Sequence, residues 1–262
     1  MHVYSDLHEQ PLTSVRNNIE ITSNARPQAP DVIRKIFDQG SIPANMTTSS
    51  QSTFDELELS WLKQSDTIGF WDYPLQTLKN IFRQGNSLKQ SFLHSTRSEK
   101  NPNAIDLYIF ARSDTILLSP IEIPCSGIGD NEIRIPSWGS WSGVNDRFAI
   151  AGPHAAKFYA SRMDGYKEAI LARRANNATL EVLGNSESML KKWLEQNSLN
   201  ITLMGEDWAK LSRVRVNGIV HFSDHVSHIA NLSNGTIQPD KNGNMHNVHV
   251  AAVAEMFLGS NS

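Results

Sequence analysis

The chain has 262 residues, enough for one large domain or two small ones around an ample core. Its 24 basic and 27 acidic residues leave a net charge of −3, which argues against a nucleic-acid binder relying on a broad basic surface. A single cysteine, Cys125, excludes an intrachain disulfide and a cysteine-built zinc site. No apolar run reaches the ~20 residues of a membrane span, and no signal-peptide pattern opens the chain, so the expected location is cytoplasmic.

Taken in order, "HVYSDL" reads as a short strand. Pro30 sits at a first helical position, and Val32, Ile33, Ile36 and Phe37 form an apolar stripe closed by Gly40. "NMTTSSQST" reads as a polar loop, and Thr53 as the cap of a short helix carrying Phe54, Leu57 and Trp61. Pro74 opens a longer helix with Leu75, Leu78, Phe82, Leu88 and Phe92 on one face and Arg83, Ser87 and Lys89 to the side. The stretch from Ile105 to Phe110 reads as a strand buried on both faces of a mainly parallel sheet. "TILLSPIEIP" follows as a strand broken by Pro120.

Gly152 and Pro153 begin a long helix with Tyr159, Met163, Tyr166 and Ile170 on its buried side. A second helix starts near Asn185-Ser186-Glu187, turning Leu190, Trp193 and Leu194 inward. In "RVRVNGIVHF", Asn217-Gly218 between two β-rich runs is a strong hairpin signal. Residues 225–247 read as a flexible tail segment rich in His, Asn and Ser, followed by a terminal helix from Val248 to Phe257. Alternating strands and helices predict an α/β chain, one domain over residues 1–262.

Three places carry candidate chemistry. Arg112 and Asp114 stand just past the carboxyl end of a buried strand, the edge where open α/β sheets place ligands. There a carboxylate suits a divalent metal and substrate phosphates, and a guanidinium offers them a planar fork; the structural alternative is an ion pair closing the strand. In "SWGSWSGVNDRFAIAG", Asp146 is the carboxylate available as a general base, and Trp138 and Trp141 are platforms for sugar rings. Equally, Asp146 and Arg147 form a structural pair, with the tryptophans filling a gap beneath the next helix. Finally, His221, His225 and His228 invite a zinc reading, with His246 and His249 nearby. The segment has no His-Glu-x-x-His pattern, and a single histidine assisting a metal fits it better than a three-histidine zinc site.

Five segments in order, "FRQGNSLKQ" (82–90), "DLYIFARSDTILLSPI" (106–121), "GVNDRFAIAG" (143–152), "SESMLKKWL" (186–194) and "RVRVNG" (213–218), together resemble nucleotide-sugar glycosyltransferase-like families of GT-A type. The resemblance implies a GT-A-like, Rossmann-type, mainly parallel sheet flanked by helices. It implies transfer of a sugar from a nucleotide diphosphate sugar to a glycan or other hydroxyl acceptor. Arg112-Ser113-Asp114 stands where such families carry Asp-x-Asp, which implies donor binding by Arg112 and Asp114 and a divalent metal (Mn²⁺ or Mg²⁺) at Asp114; His225 is the tail histidine expected to assist it. Arg112 in place of the first carboxylate is an alternative means of neutralising the phosphates. Arg83, Ser87 and Lys89 fall on the helix that borders the nucleotide. Asp146 matches the carboxylate expected to contact the acceptor hydroxyl and is the expected catalytic residue; Trp138, Trp141, Asn145 and Arg147 in the same segment are the expected acceptor-binding residues. These folds begin with a strand that cradles the base, whereas "MHVYSDLHE" corresponds to their second strand. The rival readings are a non-catalytic sugar- or nucleotide-binding protein on the same fold and a histidine-metal hydrolase.

Overall fold

The computed structural model describes residues 2–7, 12–16, 19–23, 45–63, 74–98, 107–112, 115–118, 121–123, 127–175, 184–205, 208–214, 219–221 and 248–249. The elements are β1 (His2–Leu7), β2 (Leu12–Arg16), β3 (Ile19–Ser23), β4 (Asn45–Ser50), α1 (Gln51–Glu58), α2 (Leu75–Ser98), β5 (Tyr108–Ala111), β6 (Thr115–Leu117), β7 (Glu132–Pro136) and β8 (Phe148–Ala151). They continue with α3 (Pro153–Ala160), α4 (Arg162–Ala175), α5 (Ser186–Gln196), β9 (Asn200–Met204), β10 (Leu211–Val214), β11 (Ile219–His221) and β12 (Val248–His249). The chain is thus a mixed α/β protein, and it divides into two compact units.

The first unit spans residues 1–10, 27–110 and 124–203. In it β1 and β4 pair in parallel, from His2 opposite Asn45 to Leu7 opposite Ser50. Its larger sheet has the order β5-β8-β7-β9. β8 lies inside that sheet, and its four residues Phe148, Ala149, Ile150 and Ala151 are all buried, as an interior strand requires. β7 alternates, burying Ile133 and Ile135, and pairs antiparallel with β8 through Ile133 opposite Ala151. Helices cover the core with Leu78 and Phe82 from α2, Ala155, Ala156 and Tyr159 from α3, Tyr166 and Ile170 from α4, and Leu190 and Leu194 from α5.

The second unit spans residues 11–26, 111–123 and 204–262. β2 and β3 pair antiparallel, and a separate sheet has the order β12-β11-β10-β6 with every pairing antiparallel. The hairpin pairing expected around "RVRVNGIVHF" is present, with Arg213 opposite His221 and Val214 opposite Val220.

Several expectations are corrected. The sheets are mostly antiparallel rather than mainly parallel, because β7 joins β8 through an 11-residue loop (137–147) with no crossover helix between them. The strand buried on both faces is β8; β5 buries Phe110 but exposes Ile109. "NMTTSSQST" is not a loop: residues 45–50 form β4, where Thr47 and Thr48 suit an extended backbone, and α1 begins at Gln51. Thr53 therefore lies inside α1 instead of capping it, and Leu57 is 71% exposed while Phe54 is buried. The long helix after Pro153 is two helices, broken at Ser161, whose N–H bonds back to the Lys157 carbonyl. Val248 and His249 begin no helix but add a short strand to β11. The helix expected over residues 30–40, the Asn217-Gly218 turn and the segment 225–247 lie outside the described residues.

Candidate functional site

The loop between β7 and β8 holds most of the singled-out residues of the first unit. Its backbone visits the left-handed region at Gly139 (φ 63°), Trp141 (φ 38°) and Ser142 (φ 70°). Two adjacent non-glycine residues in that region cost of order 1–3 kcal/mol each unless the surroundings hold them. Here the hold is visible. The Asn185 side chain donates from Nδ2 to the Trp141 carbonyl at 2.7 Å, and Val144 N–H donates to the Glu187 carbonyl at 3.1 Å. Asn185 also caps α5, its Oδ1 accepting from Ser188 N–H at 2.8 Å. Gly143 permits the approach, because a Cβ there would lie 2.0 Å from the Glu187 carbonyl carbon.

Inside the loop, Asn145 is fully buried and braces the backbone. Its Nδ2 donates to the Trp138 carbonyl and its Oδ1 accepts from Arg147 N–H, both at 2.8 Å. The two tryptophans part company. Trp138 is buried, with the Arg147 guanidinium 5.4 Å from its ring centroid, whereas Trp141 is 55% exposed.

Asp146 is buried, and its charged surroundings come from two helices. Arg162, at the start of α4, is also buried, its guanidinium lying 5.0 Å from the Tyr159 ring centroid. Burial acts to lower the Arg162 pKa, but the electrostatics of Tyr159, Tyr166 and Asp146 outweigh it and the net direction is upward. Burial pushes the Tyr166 hydroxyl up, against the pull of Arg162, and that hydroxyl donates to the Ser186 carbonyl at 3.0 Å. Glu187, in the first turn of α5, is half-buried and takes a hydrogen bond from Ser186 Oγ at 2.8 Å. Burial raises its pKa, the Asp146 charge raises it further, and the Ser186 bond works against both. The result is a pair of interacting carboxyls with a guanidinium and two phenols around them.

The α2 residues are engaged elsewhere. Arg83 makes a two-pronged ion pair with Asp55, its Nε to Oδ1 at 2.8 Å and its Nη2 to Oδ2, and donates from Nη1 to Asn80 at 2.6 Å. Ser87 Oγ bonds back to the Arg83 carbonyl at 3.1 Å. Lys89 Nζ donates to both carboxylate oxygens of Asp164 at 2.9 and 2.7 Å. In the second unit Arg112 follows the last residue of β5, as the strand-end reading expects, and its carbonyl accepts from Thr115 Oγ1 at 2.7 Å. Asp114, His225 and His228 lie outside the described residues, so the implied metal ligands have no geometry to test. Among the described residues no three His, Cys, Asp or Glu side chains converge on a point, and no helix is long and apolar enough to cross a membrane.

Sequence reasoning passed over Arg162, Glu187 and Asn185 as site residues. One signal was present: Arg162 lies three residues after Tyr159 and four before Tyr166, a charge on an otherwise apolar stripe. A buried charge demands compensating neighbours, and Tyr159, Tyr166 and, after them, Asp146 supply them electrostatically. No protein-family model, curated protein or solved structure matches this chain.

Proposed function

We propose that this chain is a glycosyltransferase that moves a sugar from a nucleotide diphosphate sugar to the hydroxyl of a glycan or other acceptor. The observation that carries the reading is the buried Asp146 carboxylate, grouped with Arg162 and Glu187 under a loop that presents Trp141 to solvent. In the proposed step, Asp146 takes the acceptor hydroxyl proton as its oxygen bonds to the anomeric carbon. The bond from that carbon to the donor phosphate breaks, and the diphosphate leaves with the electron pair. Arg162 is the cation on which the Asp146 charge acts. Trp141, not Trp138, is the acceptor platform, because only its ring is substantially exposed. Asn145 and Arg147 hold the loop in the shape that presents it.

The GT-A-like core of this reading rests on the five motif resemblances and is supported by the parallel pairing of β1 with β4. On the resemblance alone, Arg112 and Asp114 keep the donor-phosphate role, and a divalent metal held by Asp114 with His225 would neutralise charge on the diphosphate. One observation favours the rival, a non-catalytic sugar- or nucleotide-binding protein. Arg83 and Lys89 are bound to Asp55, Asn80 and Asp164, so these cations already serve the fold. Incubation of the full chain with UDP-, GDP-, CMP- and dTDP-sugars, with and without Mn²⁺, separates the two readings. Nucleotide release that depends on an added hydroxyl acceptor supports transfer. Thermal stabilisation without release, worth ~2.7 kcal/mol at 100 times Kd, supports the rival. Neither response to any donor contradicts both.

A further inference from the structure

A cleft of about 380 Å³ lies between α1, α2 and α4 in the first unit, and it goes beyond the proposed transfer site. Its apolar wall includes Phe54, Trp61, Phe82 and Met163. Its polar wall holds Asn86, Lys89, Gln90 and Lys167, with the acids Glu58 and Asp164. The volume is at the small end of sites that hold compact organic ligands.

The cleft and the Asp146 group use different sides of α4. At about 100° per residue, Arg162 and Tyr166 share one side and face Asp146 electrostatically, while Met163, Asp164 and Lys167 share another and line the cleft. The polar wall has a surplus of donors. Asn86 is more than nine-tenths buried, and its Oδ1 accepts from Gln90 Nε2 at 3.4 Å. Its Nδ2 makes no hydrogen bond among the described residues, which leaves a donor on a residue that lines the cleft. Lys167 Nζ lies 5.5 Å from the Trp61 ring centroid and makes no ion pair among the described residues. The acids offset little of this: both Asp164 oxygens accept from Lys89, and Glu58 is exposed to solvent.

We infer that this cleft binds a small organic anion, a ring-bearing carboxylate or phosphate, whose ring packs on the apolar wall while its oxygens accept from Asn86 Nδ2 and Lys167 Nζ. Donors without acceptors beside an apolar floor call for a ligand with acceptor oxygens at one end and an apolar body at the other.

The test titrates the full chain with phenyl phosphate, benzoate and the neutral benzyl alcohol, read by calorimetry and by tryptophan fluorescence. One or both anions are expected to bind, and benzyl alcohol at least tenfold more weakly; the stronger of the two anions identifies the head group. Lys167→Met and Asn86→Ala should each weaken that anion roughly tenfold or more, the scale of a hydrogen bond to a charged group, and leave benzyl alcohol unchanged. Lys167 is only half-buried, so its variant stays informative if the buried Asn86→Ala fails to fold. Absence of binding by both anions at millimolar concentration, equal binding of benzyl alcohol, or anion affinity unchanged in folded Lys167→Met would each overturn the inference. Asp146→Asn is expected to leave anion binding unchanged, so failure of the transfer reading and failure of this one are separately visible.

Discussion

At the residue scale, Glu187 and the two tryptophans make the sharpest expectations. The folded state raises the Glu187 pKa above its ordinary value of 4.5, so it holds the proton more tightly than the unfolded chain does. The stability this group contributes is full below 4.5 and is lost as pH rises through the folded value. Glu132 has the opposite sign: its hydrogen bond from Arg134 lowers its pKa, so its contribution is present above 4.5 and lost on acidification. Glu187→Gln should therefore flatten the decline in urea midpoint above pH ~4.5 while leaving the acid limb in place. An unchanged slope would mean that Glu187 is not the group responsible. Trp138→Ala should cost ~3–5 kcal/mol of stability, as expected for a buried Trp. Trp141→Ala should stay within ~0.5 kcal/mol of the parent in stability, while raising KM for the acceptor and leaving kcat unchanged. If Trp141→Ala leaves acceptor KM untouched, its exposed ring is not the platform.

At the element scale, the loop 137–147 works because α5 holds it. Gly143→Ala pushes a methyl against the Glu187 backbone, which cannot swing away as a side-chain tip would. The expected cost is ~1–3 kcal/mol, and activity should fall further than stability because the loop lifts from α5. Normal stability and normal turnover in Gly143→Ala would show that the close approach is dispensable. Much of this element was legible in advance. Asn185 stands in front of a helix with Leu190 and Leu194 at regular spacing, and Gly152-Pro153 marks the start of α3; both helices begin there. The electrostatic grouping of Asp146 with Arg162 was not legible, because Ser161 breaks the helix between Tyr159 and Arg162 and no local pattern relates a loop to a helix further along. β4 was missed for a related reason: its Ser and Thr residues read as loop until pairing with β1 supplies their backbone partners. Of the expected donor residues, Arg83 and Lys89 read as lying to the side of the apolar face of α2, yet Asp55 and Asp164, respectively 28 and 75 residues away in the chain, claim them.

At the scale of the whole molecule, the strand order inside each unit explains where the sequence misled. A mainly parallel sheet needs a crossover between neighbouring strands, and the α/β alternation along the chain suggested one. Instead, the loop joining β7 to β8 is itself the candidate site, so the antiparallel step carries the residues of the proposed reaction. The donor side is tested separately at Asp114: Asp114→Asn should weaken nucleotide-sugar binding at least ~10-fold, the scale of a lost charged contact, with thermal stability unchanged. Equal donor affinity would remove Asp114 from the donor contacts. The most direct measurement of the proposed transfer compares folded Asp146→Asn with the parent chain, using the donor identified in the nucleotide-sugar screen. Donor Kd by calorimetry and acceptor-dependent release of nucleotide are read on the same preparations. The expected result is an unchanged Kd and a transfer rate lower by roughly 10²–10⁴-fold, the range for loss of a general base. Transfer at the parent's rate by the folded variant would contradict the assignment of Asp146 as the base.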